Sequence, residues 1–156
     1  MILLICRLSN QVAFTICNTR RILCASPGYI AQHGMPETLA QLSQHNCLIF
    51  KLDQRDHDLW SFNRNQQQYK VRVSGNRSSN DAEITRRWAV AGQGIVFKVS
   101  LDVADDLKTG KLVPILTEYI GESVALNLIC PGREHVTPVM LLLRDKLRQH
   151  CQQILP

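Results

Sequence analysis

The stretch "SGNRSSNDAEITRRWAVAGQGIVFK", Ser74 to Lys98, changes character three times. It opens on small polar residues, passes into Ile84, Trp88, Ala89 and Ala91 at helical spacing, and halts at Gly92 and Gly94. Residues three and four apart share one face of a helix, so this spacing predicts a helix with Ile84 and Trp88 packed into the core, and the glycines predict its end. The apolar run "IVFKV" that follows reads as a strand. A helix handed directly to a buried strand predicts a layered α/β fold.

The same alternation extends both ways. Upstream, "RRILCAS" is a strand stopped by Pro27, "PGYIAQHG" a short helix closed by Gly34, and "TLAQLSQHN" one more helical turn before the buried strand "CLIF". "LWSFN" and "YKVRVSG" alternate as strands around the polar loop "NRNQQQ", while "DQRDHD" is short enough to be a surface loop. Downstream, "SLDVADDLKTG" reads as a helix capped by Ser100 and stopped by Gly110, and "KLVPIL" as an edge strand, because Pro114 cannot donate to a ladder. "SVALNLICP" is the last strand. The last helix, "TPVMLLLRDKLRQHCQQI", has Thr137 as cap, Pro138 in its first turn and an apolar face of Val139, Leu143, Leu147 and Ile154.

Composition narrows the class. The chain has 156 residues, 45% hydrophobic and 20% charged, which suits one globular unit or two small lobes. A net charge of +5 would suit a nucleic acid, but the basic residues are scattered, with no run longer than the pairs Arg20-Arg21 and Arg86-Arg87. The opening "MILLIC" is too short for a signal core or a membrane span, so a cytoplasmic protein without membrane contact is expected. Of the six cysteines, Cys6, Cys17, Cys24, Cys47, Cys130 and Cys151, four lie in apolar runs and none forms C-x-x-C. They read as structural thiols, Cys24 and Cys47 buried and reduced and Cys151 accessible near the C-terminus, with neither metal nor cofactor implied.

No catalytic constellation can be assembled. Asp102, Asp105 and Asp106 read as solvated carboxylates of a helix start, and "AGQG" lacks the third glycine of a dinucleotide fingerprint and runs from helix to strand, the reverse of what phosphate binding needs. The polar mouth at Ser78, Ser79 and Asn80 is different. A helix beginning there leaves its first N–H groups unpaired at the positive end of its dipole, which could hold a small anion. Equally, Ser79 or Asn80 could cap its own helix, with Glu83 three residues past Asn80 completing a capping box. Both readings stand on the residues.

"RRILCASPGYIAQHGMPETLAQLSQHNCLIF" resembles LysR-type transcriptional regulators, which usually read R-R-x-L-C-A-S-P-x-Y-L, then H-G-x-P, then D-L-x-x-H-x-C-L. The likeness continues through Trp60-Ser61-Phe62, through N-D and A-x-x-G-x-G-I in "NDAEITRRWAVAGQGIVF", through "VADDLKTGKLVPIL" and into "LICPGREHVTPVMLLLRDKL", covering about residues 7 to 150. "LSNQVAFTIC" fits only loosely, and Cys130 stands where an aromatic or aliphatic residue is usual.

The resemblance implies a Rossmann-like sheet of the periplasmic-binding-protein type II kind, with helices on both faces and an incomplete first subdomain. Residues 1–19 would be the end of that subdomain and the crossover, 20–120 the second effector-binding subdomain, and 121–156 the returning strand and C-terminal helix. It further implies a small, often carboxylate-bearing effector, with contacts at Ser78, Ser79 and Asn80 and, from the first strand's end, at Cys6 or Arg7. The family's winged helix-turn-helix has no counterpart in this sequence, so DNA contact is assigned to a domain outside it, in a regulator working as a homo-oligomer, a dimer or tetramer. A solute-binding protein of similar fold and a small α/β enzyme are the competing readings.

Overall fold

A computed structural model describes residues 10–155, which divide into two compact units, residues 20–122 and residues 10–19 with 123–155. Cys6 and Arg7 lie outside the described residues. No described helix is long and apolar enough to cross a membrane, and no group of three or more His, Cys, Asp or Glu among the described residues is arranged to hold a metal ion.

The larger unit is built on strand β1 (Val12–Ala25), of which residues 20–25 belong here. Helix α1 (Pro27–His33) follows, then a single 3-10 turn (Leu39–Gln44), where the sequence predicted a helical turn. Strand β2 (Cys47–Leu52) turns back into β3 (Arg55–Asp56), so "DQRDHD" is a hairpin and not a loose loop. Its two turn residues, Asp53 and Gln54, carry φ of 48° and 63°, the left-handed pair whose twist matches that of the flanking strands. Asn65 and Gln66 do the same, at φ 51° and 63°, between β4 (Leu59–Arg64) and β5 (Gln67–Arg72). A two-residue strand β6 (Ser78–Ser79) leads to α2 (Ala82–Val90), β7 (Ile95–Val99), a 3-10 turn at Ser100–Val103 and α3 (Ala104–Lys108). Two short strands, β8 (Val113–Pro114) and β9 (Ile120–Gly121), complete the unit.

Strands β2, β6 and β7 run parallel, while β1 pairs antiparallel with β7, Leu23 opposite Phe97. Alternation along these strands sorts the core into two clusters. Leu23, Cys47, Ile49, Ile95 and Phe97 pack on one side with Trp60, Phe62 and Tyr29; Cys24, Leu48 and Val96 pack on the other with Ala89, Val103 and Leu112. Both faces are thus covered, which is why these strands read as continuous apolar runs. A second sheet, β5-β4-β9, lies against the first cluster through Trp60 and Phe62. Gly121 permits this approach, since a Cβ there would strike the carbonyl of Arg21 and the ring of Phe97.

Several faces differ from the sequence pattern. On α2 the fully buried side chains are Thr85 and Ala89; Ile84 is 39% exposed and Trp88 only half-buried. Thr85 can be buried because its hydroxyl donates to the carbonyl of Ala82. Ser100 is the first residue of the 3-10 turn and not a helix cap. Asp106 is buried against Arg86 at 2.6 Å, whereas Asp105 and Asp102, the latter paired with Lys98 at 3.2 Å, are exposed, so of the three carboxylates only Asp106 departs from the solvated reading.

In the smaller unit, β1 pairs with β10 (Ser123–Cys130), and helix α4 (Pro138–Ile154) starts at Thr137, whose hydroxyl accepts the Met140 N–H as the sequence predicts. Its sheltered side carries Cys151, with Arg148 donating twice to the Thr15 carbonyl at 3.1 and 2.8 Å. Val139 at 72% and Leu143 at 42% are exposed, while Leu147 and Ile154 are half-buried, so the expected face is only partly sheltered. The helix has more apolar positions than one face can cover.

Candidate functional site

Parallel strands fix where a ligand can approach, because their carboxyl ends and the helices that follow open a crevice at one rim of the sheet. Here β6 runs beside β2, Ser78 opposite Ile49 and Ser79 opposite Phe50, and the chain then turns through Asn80 into α2. Ser78, Ser79 and Asn80 therefore stand together at that rim, in the larger unit. A cavity of about 230 Å³ reaches Ser78, lined also by Asp56, Asp58, Ser74 and Asn76 among others, while Ser79 and Asn80 lie outside its lining.

The head of α2 is capped by neither candidate from the sequence. Asp81 is the N-cap: its Oδ1 accepts the N–H groups of Glu83 at 2.8 Å and Ile84 at 3.4 Å, and its own N–H donates to Ser79 Oγ at 3.0 Å. Glu83 does not reach back to complete a capping box; it binds Arg86 and Arg87, which hold its carboxyl down at about 2. Two first-turn donors are consequently taken, and by a carboxylate, so the helix terminus is not the open anion cradle that the sequence allowed. The displacement is one residue. The sequence "SSND" offers four consecutive capping residue types, and only the geometry of β6 selects the fourth. Asn80 is left exposed, with its side chain making no hydrogen bond among the described residues.

Sequence reasoning missed a charged cluster at the same rim. Arg21 on β1 lies opposite Val99, the last residue of β7, and is 8% exposed. Its backbone N–H donates to the Glu122 carbonyl at 2.9 Å, while its Nε stands 3.5 Å from Glu122 Oε2. Burial pulls the guanidinium below its usual pKa, against the opposing pull of Glu122 and Asp102. His57 is likewise lowered by burial and by Arg21, and is neutral at pH 7. The signal available was the pair Arg20-Arg21 in "RRILCAS", but alternation alone does not say which of the two turns inward.

The cysteines are free and, Cys17 apart, buried among the described residues. Cys24 and Cys47 match the expectation of buried, reduced thiols. Cys151 does not match the expectation of access, being 5% exposed on the sheltered side of α4.

Comparison with known proteins gives the chain a family. The family described as the LysR substrate binding domain matches residues 2–152. The HTH-type transcriptional activator TtdR of Escherichia coli K12 is 40% identical over 108 residues, 69% of this chain and 35% of the relative. The HTH-type transcriptional regulator DmlR of the same organism is 40% identical over 112 residues, 70% and 36% of the two chains. Among solved structures, the regulatory domain of CrgA, a LysR-type transcriptional regulator from Neisseria meningitidis, superposes with a TM-score of 0.78 at 26% identity, over 91% of this chain and 69% of that one. Full-length AphB, the Vibrio cholerae virulence activator, shares the fold at a TM-score of 0.73 and 20% identity, over 91% of this chain and 48% of its own.

Proposed function

The chain belongs to the LysR substrate binding domain family, and from that premise we propose that it senses a small, anionic effector for a LysR-type regulator and passes the signal to a DNA-binding domain elsewhere in the intact protein. The observation that carries this reading is the family match over residues 2–152. The chain spans about a third of the length of TtdR and DmlR, 35% and 36%, so the remaining length leaves room for the helix-turn-helix that their names imply. In this reading the protein is a cytoplasmic homo-oligomer, a dimer or tetramer when intact, and performs no catalysis.

Residues 20–120 act as the effector-binding subdomain, and Ser78, Ser79 and Asn80 form one wall of the site. Asn80 is suited to this because Asp81 does the capping, leaving the amide free to donate and accept. Cys6 and Arg7 remain assigned to the opposite contact by family resemblance alone. Thermal shift of the chain against small organic acids, beside a panel of hydrolase substrates, tests the reading. An effector present at a hundredfold its Kd adds about 2.7 kcal/mol of stability, enough to raise Tm by several degrees. Turnover of a panel substrate, with no acid shifting Tm, would favour an enzyme.

A further inference from the structure

Among the described residues, Arg21 carries the buried side-chain nitrogen that finds no hydrogen bond. Its Nε is buried and makes no hydrogen bond; Glu122 Oε2, at 3.5 Å, is an ion partner and not a hydrogen-bond acceptor. Orphaned buried N–H groups are rare, because losing water without a replacement costs about 1–3 kcal/mol and more on a charged group. The backbone of Arg21 is also held in place from behind. Gly121 presses its backbone against the Arg21 carbonyl, and the Glu122 carbonyl accepts the Arg21 N–H at 2.9 Å. A guanidinium takes a carboxylate side-on through Nε and a neighbouring N–H in two parallel N–H···O bonds, and the unbonded Nε leaves that edge of Arg21 without such a partner.

We propose that Arg21 is a carboxylate-binding position of the larger unit, taking the head group of a small organic acid, with Glu122 as an internal competitor for the same guanidinium. Exchange conserves charge locally: the ligand carboxylate replaces that of Glu122, whose side chain is already 35% exposed and swings into water. Lys98 does not compete, since its ammonium is engaged by the Ala82 carbonyl at 2.8 Å and Asp102 at 3.2 Å. The position is distinct from Ser78–Asn80. Strands β7 and β2 lie between β1 and β6, and three strand spacings put the two backbones roughly 14 Å apart. The assignment therefore stands whether or not those residues touch the effector.

The test is an amide-resolved NMR titration of the chain with sodium acetate at fixed ionic strength, on wild type, E122Q and R21K. Acetate is expected to give saturable shifts confined to the amides around Arg21, Val99 and Glu122. Removing the competitor in E122Q should tighten acetate roughly fivefold, the worth of a partly exposed ion pair. R21K keeps the charge but loses the fork, and should weaken acetate at least tenfold. Should R21K fail to fold, E122Q decides alone. Binding no tighter in E122Q than in wild type, or shifts that are scattered and never saturate, would overturn the proposal and leave Nε as a structural orphan.

Discussion

At the head of α2, Asp81 holds the N–H groups of Glu83 and Ile84 while its neighbour Asn80 stays exposed. The two residues should therefore answer differently to truncation. D81A is expected to cost about 1 kcal/mol of stability, the usual worth of an N-cap, and N80A less than about 0.5 kcal/mol. Urea denaturation of both variants checks this, and equal losses would mean that the cap is shared. The thiols make a second residue-scale prediction. Burial pushes Cys24 and Cys47 up to about 12, and Cys17 to about 11, from an ordinary value of 9.0. A folded pKa above the unfolded one means the native state keeps its proton longer, so this stability is complete below pH 9 and drains away as pH climbs toward 12. The denaturation midpoint should fall steadily from pH 9 to pH 11, and C47A should flatten that fall. A wild-type midpoint independent of pH in that window would show that these thiols do not set the alkaline limit.

Among the elements, β7 joins the two sheets through one ring. Phe97 lies 5.3 Å from Trp60 and 4.9 Å from Phe62, centroid to centroid, and all three are buried. F97A should cost about 3–5 kcal/mol, whereas I84A, on the open side of α2, should cost little. If the two variants denature alike, α2 buries a different face from the one described. These cases show what a sequence can and cannot convey about elements. The period from Ile84 to Ala91 correctly signals a helix, and "IVFKV" a strand, because 3.6-residue and continuous apolar patterns are local. Which face turns inward is not local. It depends on Thr85 satisfying its own hydroxyl against Ala82, a bond that hydropathy does not register. The hairpin at Asp53-Gln54 was hidden for a related reason, since its left-handed turn is made without glycine, whereas the strands flanking Asn65-Gln66 were legible and only the tightness of their turn was not. Ion pairs with one buried partner, such as Arg86 with Asp106 and Lys98 with Asp102, join residues of different elements or turns, and charge alone reads as solvated surface.

For the molecule as a whole, family membership was legible in dense motifs such as "RRILCASPGYI" and "AGQGIVF", whereas the capping of α2 was not, because the single step from Asn80 to Asp81 decides which donors and acceptors remain free. The charge of +5, carried without a cluster in sequence, predicts that this chain gives no discrete, sequence-specific band in a gel shift at physiological salt; a shared electrostatic attraction without base contacts weakens steeply as salt rises. A specific band would assign DNA recognition to the domain itself. The central claim, that this domain senses an effector through the wall at Ser78–Asn80, is tested most directly by calorimetric titration of wild type and N80A with the organic acid that raises Tm in the screen. The account predicts at least a tenfold loss of affinity in N80A with Tm of the free protein unchanged, since Asp81 and not Asn80 caps α2. Equal affinity in the two proteins would contradict it.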